Sequence, residues 1–496
     1  MIALLLAGLA LSADVAPDDA PPLEEDGPEL VAEVAGPDRS APPPVAAATP
    51  LPQPAMEVDA VRPGLDVVLV RTPGLRKARI SLMFRRGSNQ LGGVHPASYD
   101  AFGWVWDQAT KRRSGDDLAV YEDKNEIDVW SVSGADTTTV HLDTPTDDLG
   151  PGLSLLREVV VEPRFVGKDL KLIRENRLRW YLVESSTDGG ALIQGGLDNL
   201  WVPEGHPLSD RPDVVGWRDL KKKDVIRHHR ELLAEAPLTV LVVGDMDMDR
   251  VRAEVVPALD GLGVAGEPPK PPAFTPPKTS QVIGVDLYGT GRASIGLRMA
   301  APTLDDPDAP AFRLIDHAMG GHFLSRLNAD LREVRGLTYG IDSSFGSGQS
   351  LGAWTIMTEV RLEDAGEAIG AIDEQLTQLA ADGLTENELG DGVRARISGW
   401  NATLQTTDRA STVYGSRVRL GWSTADARER LDAYAEVTPA RSQEVARRWI
   451  EDQPRAWVIV GERSALQPQL DALDMEVTWL PGELVILGAG VGPVAE

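Results

Sequence analysis

No cysteine occurs among the 496 residues, which excludes disulfides, a thiolate nucleophile and any Cys-ligated metal. That absence is compatible with an oxidising compartment without establishing one. Histidine is scarce. The seven are His95, His141, His206, His228, His229, His317 and His322, and no two stand four residues apart. The spacing that puts two imidazoles over one ion on a helix face is therefore missing. His228 and His229 are adjacent and would point about 100° apart on a helix. His317 and His322 read as helix-end or surface residues rather than ligands. Positive charge is also short, with 49 Lys and Arg against 76 Asp and Glu, a formal charge of −27. Such a surface repels phosphate backbones and anionic lipid, so nucleic-acid and membrane-surface binding are disfavoured. Ser185, Ser186 and Ser325 stand in no visible His/Asp setting, which leaves little support for a serine hydrolase.

Long apolar runs are missing too, apart from Ile2–Ala13. That run is too short to span a bilayer and resembles the hydrophobic part of a secretory signal, although a basic start is lacking. It predicts a signal-like segment over 1–13 and a periplasmic or secreted protein. Residues 14–57 are rich in Pro, Ala and acid, with nine acidic residues between Asp14 and Asp38, and read as a disordered tether.

Globular patterning begins at Leu65. Strand signals cover Leu65–Arg71, Ala78–Phe84, Ile127–Val132, Thr137–Leu142 and Leu238–Gly244, and helix signals cover Phe102–Trp106, Leu153–Val160 and Leu170–Val183. The stretch 266–280 (G-E-P-P-K-P-P-A-F-T-P-P-K-T-S) is a linker that no helix or central strand could contain. Beyond it the order repeats. Ala293–Met299 echoes Ala78–Phe84, and Ala456–Gly461 echoes Thr239–Gly244, both at offsets of about 216 residues. The expected architecture is α+β: two duplicated half-domains, 58–265 and 281–485, each a mixed sheet with helices packed on one face, facing each other as a clamshell. A tail, 486–496, follows.

The most informative stretch is Gly320–Phe345, G-G-H-F-L-S-R-L-N-A-D-L-R-E-V-R-G-L-T-Y-G-I-D-S-S-F. Phe323, Leu327, Leu331 and Val334 recur at helical spacing, Gly336 is a helix stop, and Leu337, Tyr339 and Ile341 alternate as in a strand with one shared face. Arg332 then falls in the last helical turn and Tyr339 early on the strand, so a tight turn can bring them together. Taken alone, Arg332 would cap a helix end and Tyr339 would be a strand aromatic.

Gly320, Gly321, Ser325, Arg326, Leu327, Leu331, Arg332, Glu333, Arg335, Gly336, Leu337 and Tyr339 fit the signature of the pitrilysin/insulinase peptidases, the inverzincins, and the chain resembles that family over roughly 65–484. The resemblance implies that Arg332 and Tyr339 are the Arg/Tyr pair facing a zinc across the substrate cleft, the phenol donating to an oxyanion and the guanidinium holding substrate carbonyls. It implies substrate-binding roles for Gly320 and Gly321. The family's zinc sits in the other half, on a helix bearing H-x-x-E-H with a further Glu downstream. Counting from Thr110–Ser114, those places hold Asp100, Gly103, Trp104 and Tyr181. A rival register keeps His95 but offers Ser98 and Tyr99. Glu175 or Glu184 could be proposed downstream, but neither replaces the histidines. Trp104 is expected to fill the space a metal would need.

No metal or other cofactor is therefore expected in this chain. The resemblance implies a zinc-free subunit of a heterodimeric metallopeptidase, inactive alone, whose zinc-bearing homologous partner supplies the ion and base. Short or unfolded peptides would be the substrates. The alternative is a purely structural or peptide-binding pseudopeptidase, like the respiratory-complex core proteins of the family.

Overall fold

A computed structural model describes residues 48–87, 95–134, 136–202, 214–267, 275–347 and 352–487. The signal-like segment, the tether up to residue 47, the middle of the proline-rich linker, the tail from 488 and His206 lie outside the described residues. Within the unit Ala48–Glu496 the chain builds two six-stranded sheets.

The first sheet contains β1 (Glu57–Arg62), β2 (Leu65–Arg71), β3 (Lys77–Phe84), β4 (Asp128–Ser133), β5 (Thr138–Pro145) and β6 (Leu238–Gly244), in the order β1-β2-β6-β3-β5-β4. The second contains β7 (Gln281–Asp286), β8 (Arg292–Ala300), β9 (Thr338–Ser347), β10 (Gly352–Arg361), β11 (Arg455–Gly461) and β12 (Thr478–Pro481), in the order β12-β7-β11-β8-β10-β9. Five strands correspond one to one. In each sheet a parallel pair, β2 with β6 or β7 with β11, is followed by antiparallel partners. The sixth strand breaks the copy, because β1 runs antiparallel to β2 whereas β12 runs parallel to β7. The duplicated α+β fold expected from the sequence is present.

The central strands read as unbroken apolar runs because both faces of each sheet are covered. Val67 and Leu69 enter the core beneath the helices of the first half, while Val68 and Val70 point to the other face. That other face is not bare. Helix Thr407–Leu420, from the second half, lies on β3 and β6 and seals Val68, Val70, Met83, Leu241 and Val243 with Ala410 and Tyr414. Reciprocally, helix Gly189–Trp201, from the first half, lies on β8 and β11, where Leu192, Ile193, Leu197 and Trp201 meet Ile283, Val285, Val458 and Val460. Helices on one face only is thus an incomplete description of each half.

The exchange demands close approach. A Cβ built on Gly296 of β8 would stand 2.2 Å from Ile193 Cγ2, and one on Gly196 would stand 2.9 Å from Val458 Cγ2. Each contact also carries an ion pair. Arg298 NH1 lies 2.6 Å from Asp198 Oδ1 with both side chains largely buried, and Arg79 binds Asp143 on β5 and Asp408 on the visiting helix.

Candidate functional site

In the second half, helix Ala309–Met319 ends at Gly320. The chain then turns through Gly321–Ser325 and re-enters a helix that is π-type over Asn328–Val334. The helical periodicity read from Phe323 therefore begins three residues early, since the helix starts at Arg326. Phe323 sits in the turn and Val334 on the outer side, both exposed, whereas Leu327 and Leu331 are fully buried as the periodicity required. Gly336 has φ +67, the left-handed stop that glycine enters without strain.

The turn is short because Gly320 allows contact with β9 and Gly321 allows contact with the preceding helix. A Cβ on Gly320 would lie 2.6 Å from Ser343 N, and one on Gly321 would lie 2.8 Å from His317 Cα. Asn328 then fixes the helix to the strand: its Nδ2 donates to the Ile341 carbonyl at 2.8 Å and its Oδ1 accepts from Ile341 N at 3.2 Å.

Thr338 pairs with Val360, but Ile341 pairs with Thr358, so β9 carries an extra residue around Tyr339 and Gly340. Such a bulge re-aims a side chain. Leu337 and Ile341 are buried while Tyr339 is 86% exposed, which corrects the single shared face expected from alternation. Arg332 and Tyr339 do come together. The guanidinium carbon of Arg332 lies 4.9 Å from the Tyr339 ring centroid and 4.2 Å from that of Phe323, and its Nε is 3.2 Å from Glu333 Oε1. An aromatic face on each side orients the cation and limits its rotamers. Sequence reasoning named the cation and the phenol but missed Phe323 as the second plate.

In the first half, Asp100, Gly103 and Trp104 all lie on helix Pro96–Val105. Pro96 falls in its first turn and His95 is the N-cap, so the rival register starts outside the helix. Asp100 Oδ2 is 3.5 Å from Arg177 NH2. Burial pushes the Asp100 carboxyl up, and Arg177 and a hydrogen bond from Trp104 draw it back. The Arg177 guanidinium stands 4.9 Å from the Trp104 ring and 5.9 Å from the Trp217 ring. Trp104 is 52% exposed, so Arg177, rather than the indole alone, takes the space beside Asp100.

Tyr181 follows one turn later, in the π-turn Trp180–Glu184, with its ring 4.9 Å from that of Trp180. Glu175 is paired with Lys171 on the surface, and the Glu184 side chain lies outside the described residues. These positions do not fit a zinc ion. One carboxylate is engaged by a cation, the others are a glycine, an indole and a phenol, and the added charge of Arg177 opposes a dication. Among the described residues no three His, Asp or Glu side chains gather as a metal set.

His228 and His229 are core residues. His229 Nε2 is 2.8 Å from the Val160 carbonyl, and His228, edge-on to Tyr99 and Phe102, is held down to about 4 chiefly by burial. His317 and His322 stack at 4.5 Å beside Gly320, and burial followed by His322 lowers His317. Among the described residues, no hydrogen bond, ion pair or ring contact joins Arg332 or Tyr339 to Asp100 or Trp104.

Several known proteins are similar to this chain. The model of the peptidase M16 inactive domain matches residues 219–395, which include the Arg332–Tyr339 turn. An uncharacterised zinc protease of Streptomyces coelicolor is 25% identical over 408 residues, covering 80% of this chain and 87% of its own. One of Mycobacterium leprae is 22% identical over 366 residues, covering 71% and 81%. The peptidase M16 inactive domain from Pseudomonas fluorescens superposes with a TM-score of 0.73 at 20% identity, over 82% of this chain and 98% of that one. The periplasmic protease PqqL of Escherichia coli gives 0.69 at 15% identity, over 88% of this chain and 49% of its own. Residues 219–395 thus match the M16 inactive-domain model, and the chain as a whole is similar to M16, insulinase-like, proteins in sequence and fold. The matched model lies mainly in the half with the Arg/Tyr turn and does not reach Asp100, Gly103, Trp104 or Arg177.

Proposed function

We propose that this chain is the zinc-free subunit of a two-chain peptidase, in which a zinc-bearing homologue cleaves peptides and this chain supplies Arg332 and Tyr339. The observation that carries the reading is an asymmetry. The turn bearing Arg332 and Tyr339 is built by a bulge, two close glycines and Asn328, and it leaves the phenol exposed. In the other half, the positions that the resemblance assigns to the metal carry the Asp100–Arg177–Trp104 cluster.

A phenol O–H can donate to an oxygen on which negative charge develops, and a guanidinium can hold two peptide carbonyls at once. Substrate-binding roles for Gly320 and Gly321 belong to the same proposal; Gly320 lets the backbone approach β9 and Gly321 lets it approach the preceding helix at His317. The Ile2–Ala13 segment supports export, and a periplasmic protease among the similar structures is compatible with it.

The test is co-purification from the native cell, then peptide hydrolysis by the complex. The chain alone should hold no stoichiometric zinc and cleave nothing. In the complex, Tyr339→Phe or Arg332→Ala should lower kcat by about 10²–10³-fold, the cost of one oxyanion-hole donor. Turnover unchanged in both variants would reassign the pair to structure. That second reading, a binding pseudopeptidase, draws on the contacts Arg332 already makes with Phe323 and Glu333.

A further inference from the structure

The first sheet has two edge strands, β1 and β4, and β4 is the one whose outward groups are met by carboxylates. In an antiparallel ladder alternate residues turn their N–H and C=O groups to opposite sides, so a last strand presents one row outward. On β4 that row includes Val129 and Ser131. Val129 N donates to Glu122 Oε1 at 3.1 Å. Ser131 N donates to Asp107 Oδ2 at 2.7 Å, and Ser131 Oγ lies 3.2 Å from the same oxygen. Glu122 reaches in from helix Gly115–Asn125, and Asp107 from just past the end of helix Pro96–Val105. Val129 and Ser131 are buried at 5% and 8% exposure, although among the described residues their strand pairs with β5 alone.

A free sheet edge is where an extended chain adds, through main-chain hydrogen bonds. Each carboxylate oxygen here occupies the place of an incoming carbonyl. The corresponding last strand of the second sheet, β9, is treated alike: Ile341 N is taken by Asn328 Oδ1 at 3.2 Å and Ser343 N by the Gly320 carbonyl at 3.2 Å.

We infer that β4 is a closed strand-acceptor site, with Asp107 and Glu122 standing in for the carbonyls of an extended peptide. This chain alone therefore takes no substrate strand at that edge. The consequence for substrate rests on the two-chain function proposed above: an extended peptide lying along β4 is touched by this chain through side chains and not by main-chain pairing. The closure itself does not depend on that function.

The test uses the full-length chain without a partner. Its probe is a fluorescent, arginine-flanked decapeptide of alternating threonine and valine, read by anisotropy together with amide hydrogen exchange at Val129 and Ser131. Wild type should show no saturable binding and slow exchange at both amides. Asp107→Asn with Glu122→Gln should behave the same, because the amide oxygens still accept. Asp107→Ala with Glu122→Ala should bind the peptide at least about tenfold more tightly, with Val129 and Ser131 protected again only when peptide is present. Should that double variant fail to fold, Asp107→Ala alone should speed exchange at Ser131. Wild type binding the peptide as well as the alanine variant, or Ser131 exchange indifferent to Asp107→Ala, would overturn the inference. With no partner present, failure here leaves the role of Arg332 and Tyr339 untouched, and their failure leaves the closure untouched.

Discussion

The two halves share five strands in one order and close the last of them with different chemistry. Carboxylates from two helices cap β4, whereas an amide side chain and a backbone carbonyl cap β9. The same contrast runs through the regions the sequence marks as functional. In the first half, a carboxylate, a cation and an indole satisfy one another at Asp100, Arg177 and Trp104. The second keeps its cation and phenol on a turn held by neutral hydrogen bonds and glycine contacts. A metal site needs several correct side chains at once, so a few substitutions abolish it. A turn held by backbone contacts survives drift at its surface, because the parts that shape it are also the parts that fold it.

The largest difference between the halves should appear in the ion pairs under the exchanged helices. Arg298 and Asp198 have 9% and 12% side-chain exposure, and among the described residues removing Asp198 leaves the cation the Thr355 hydroxyl at 3.1 Å. Asp198→Ala should therefore cost about 3–5 kcal/mol, the usual penalty for stranding one member of a buried pair. Arg79 keeps the bidentate Asp143 when the exposed Asp408 is lost. Asp408→Ala should cost about 1 kcal/mol or less. Equal losses for both variants in denaturant unfolding would mean that the two helices are not anchored differently.

Glycine substitution gives a smaller effect and sharpens the same comparison. On Gly320 an added methyl meets backbone, Ser343 N at 2.6 Å, so Gly320→Ala should cost about 1–3 kcal/mol and loosen the Arg332–Tyr339 turn. On Gly103, inside a helix, the methyl meets a rotatable hydroxyl, Ser133 Oγ at 3.0 Å. There the helical gain of about 1 kcal/mol over glycine offsets the contact, and Gly103→Ala should leave thermal stability nearly unchanged.

Much of this was legible in the residues. The apolar hexamers located β3, β6, β8 and β11, their common offset located the duplication, and Gly336 located the helix stop. The exchange of helices was not legible, because Gly189–Trp201 is amphipathic in the ordinary way and periodicity does not say whose sheet it meets. Its glycines, Gly189, Gly190, Gly195 and Gly196, were the available signal of close approach. The bulge at Tyr339 was hidden because strict alternation continues through it in the sequence. Asp107 and Glu122 were passed over since nothing local separates a carboxylate that caps a strand from one on a solvated face. Arg177 was missed for a related reason: its partners Asp100 and Trp104 lie more than seventy residues upstream.

The smallest predicted effect concerns pH, and again the halves should differ. Glu122 is pushed up to about 7, first by burial and then, against the hydrogen bond from Val129, by the neighbouring Asp128, Asp107 and Asp123. A carboxyl raised in the folded state binds its proton more tightly there than in the unfolded chain. Its contribution is thus most favourable below its ordinary value near 4.5 and is lost as pH rises through about 7. His228, held down to about 4 from 6.5, acts in the opposite sense: stability falls as pH drops below about 6.5 and levels off only beneath 4. Both groups belong to the first half, and the amide that caps β9 does not titrate. Glu122→Gln should therefore remove part of the stability loss between pH 4.5 and 7, while Asn328→Asp should introduce a new pH dependence at β9 where wild type has none from that position. Protonation alone should not open β4, since the carbonyl oxygen of a neutral carboxyl still accepts from Val129 N. Exchange at Val129 that rises sharply between pH 6 and 8, beyond the intrinsic rate, would show instead that the cap depends on the charge state of Glu122.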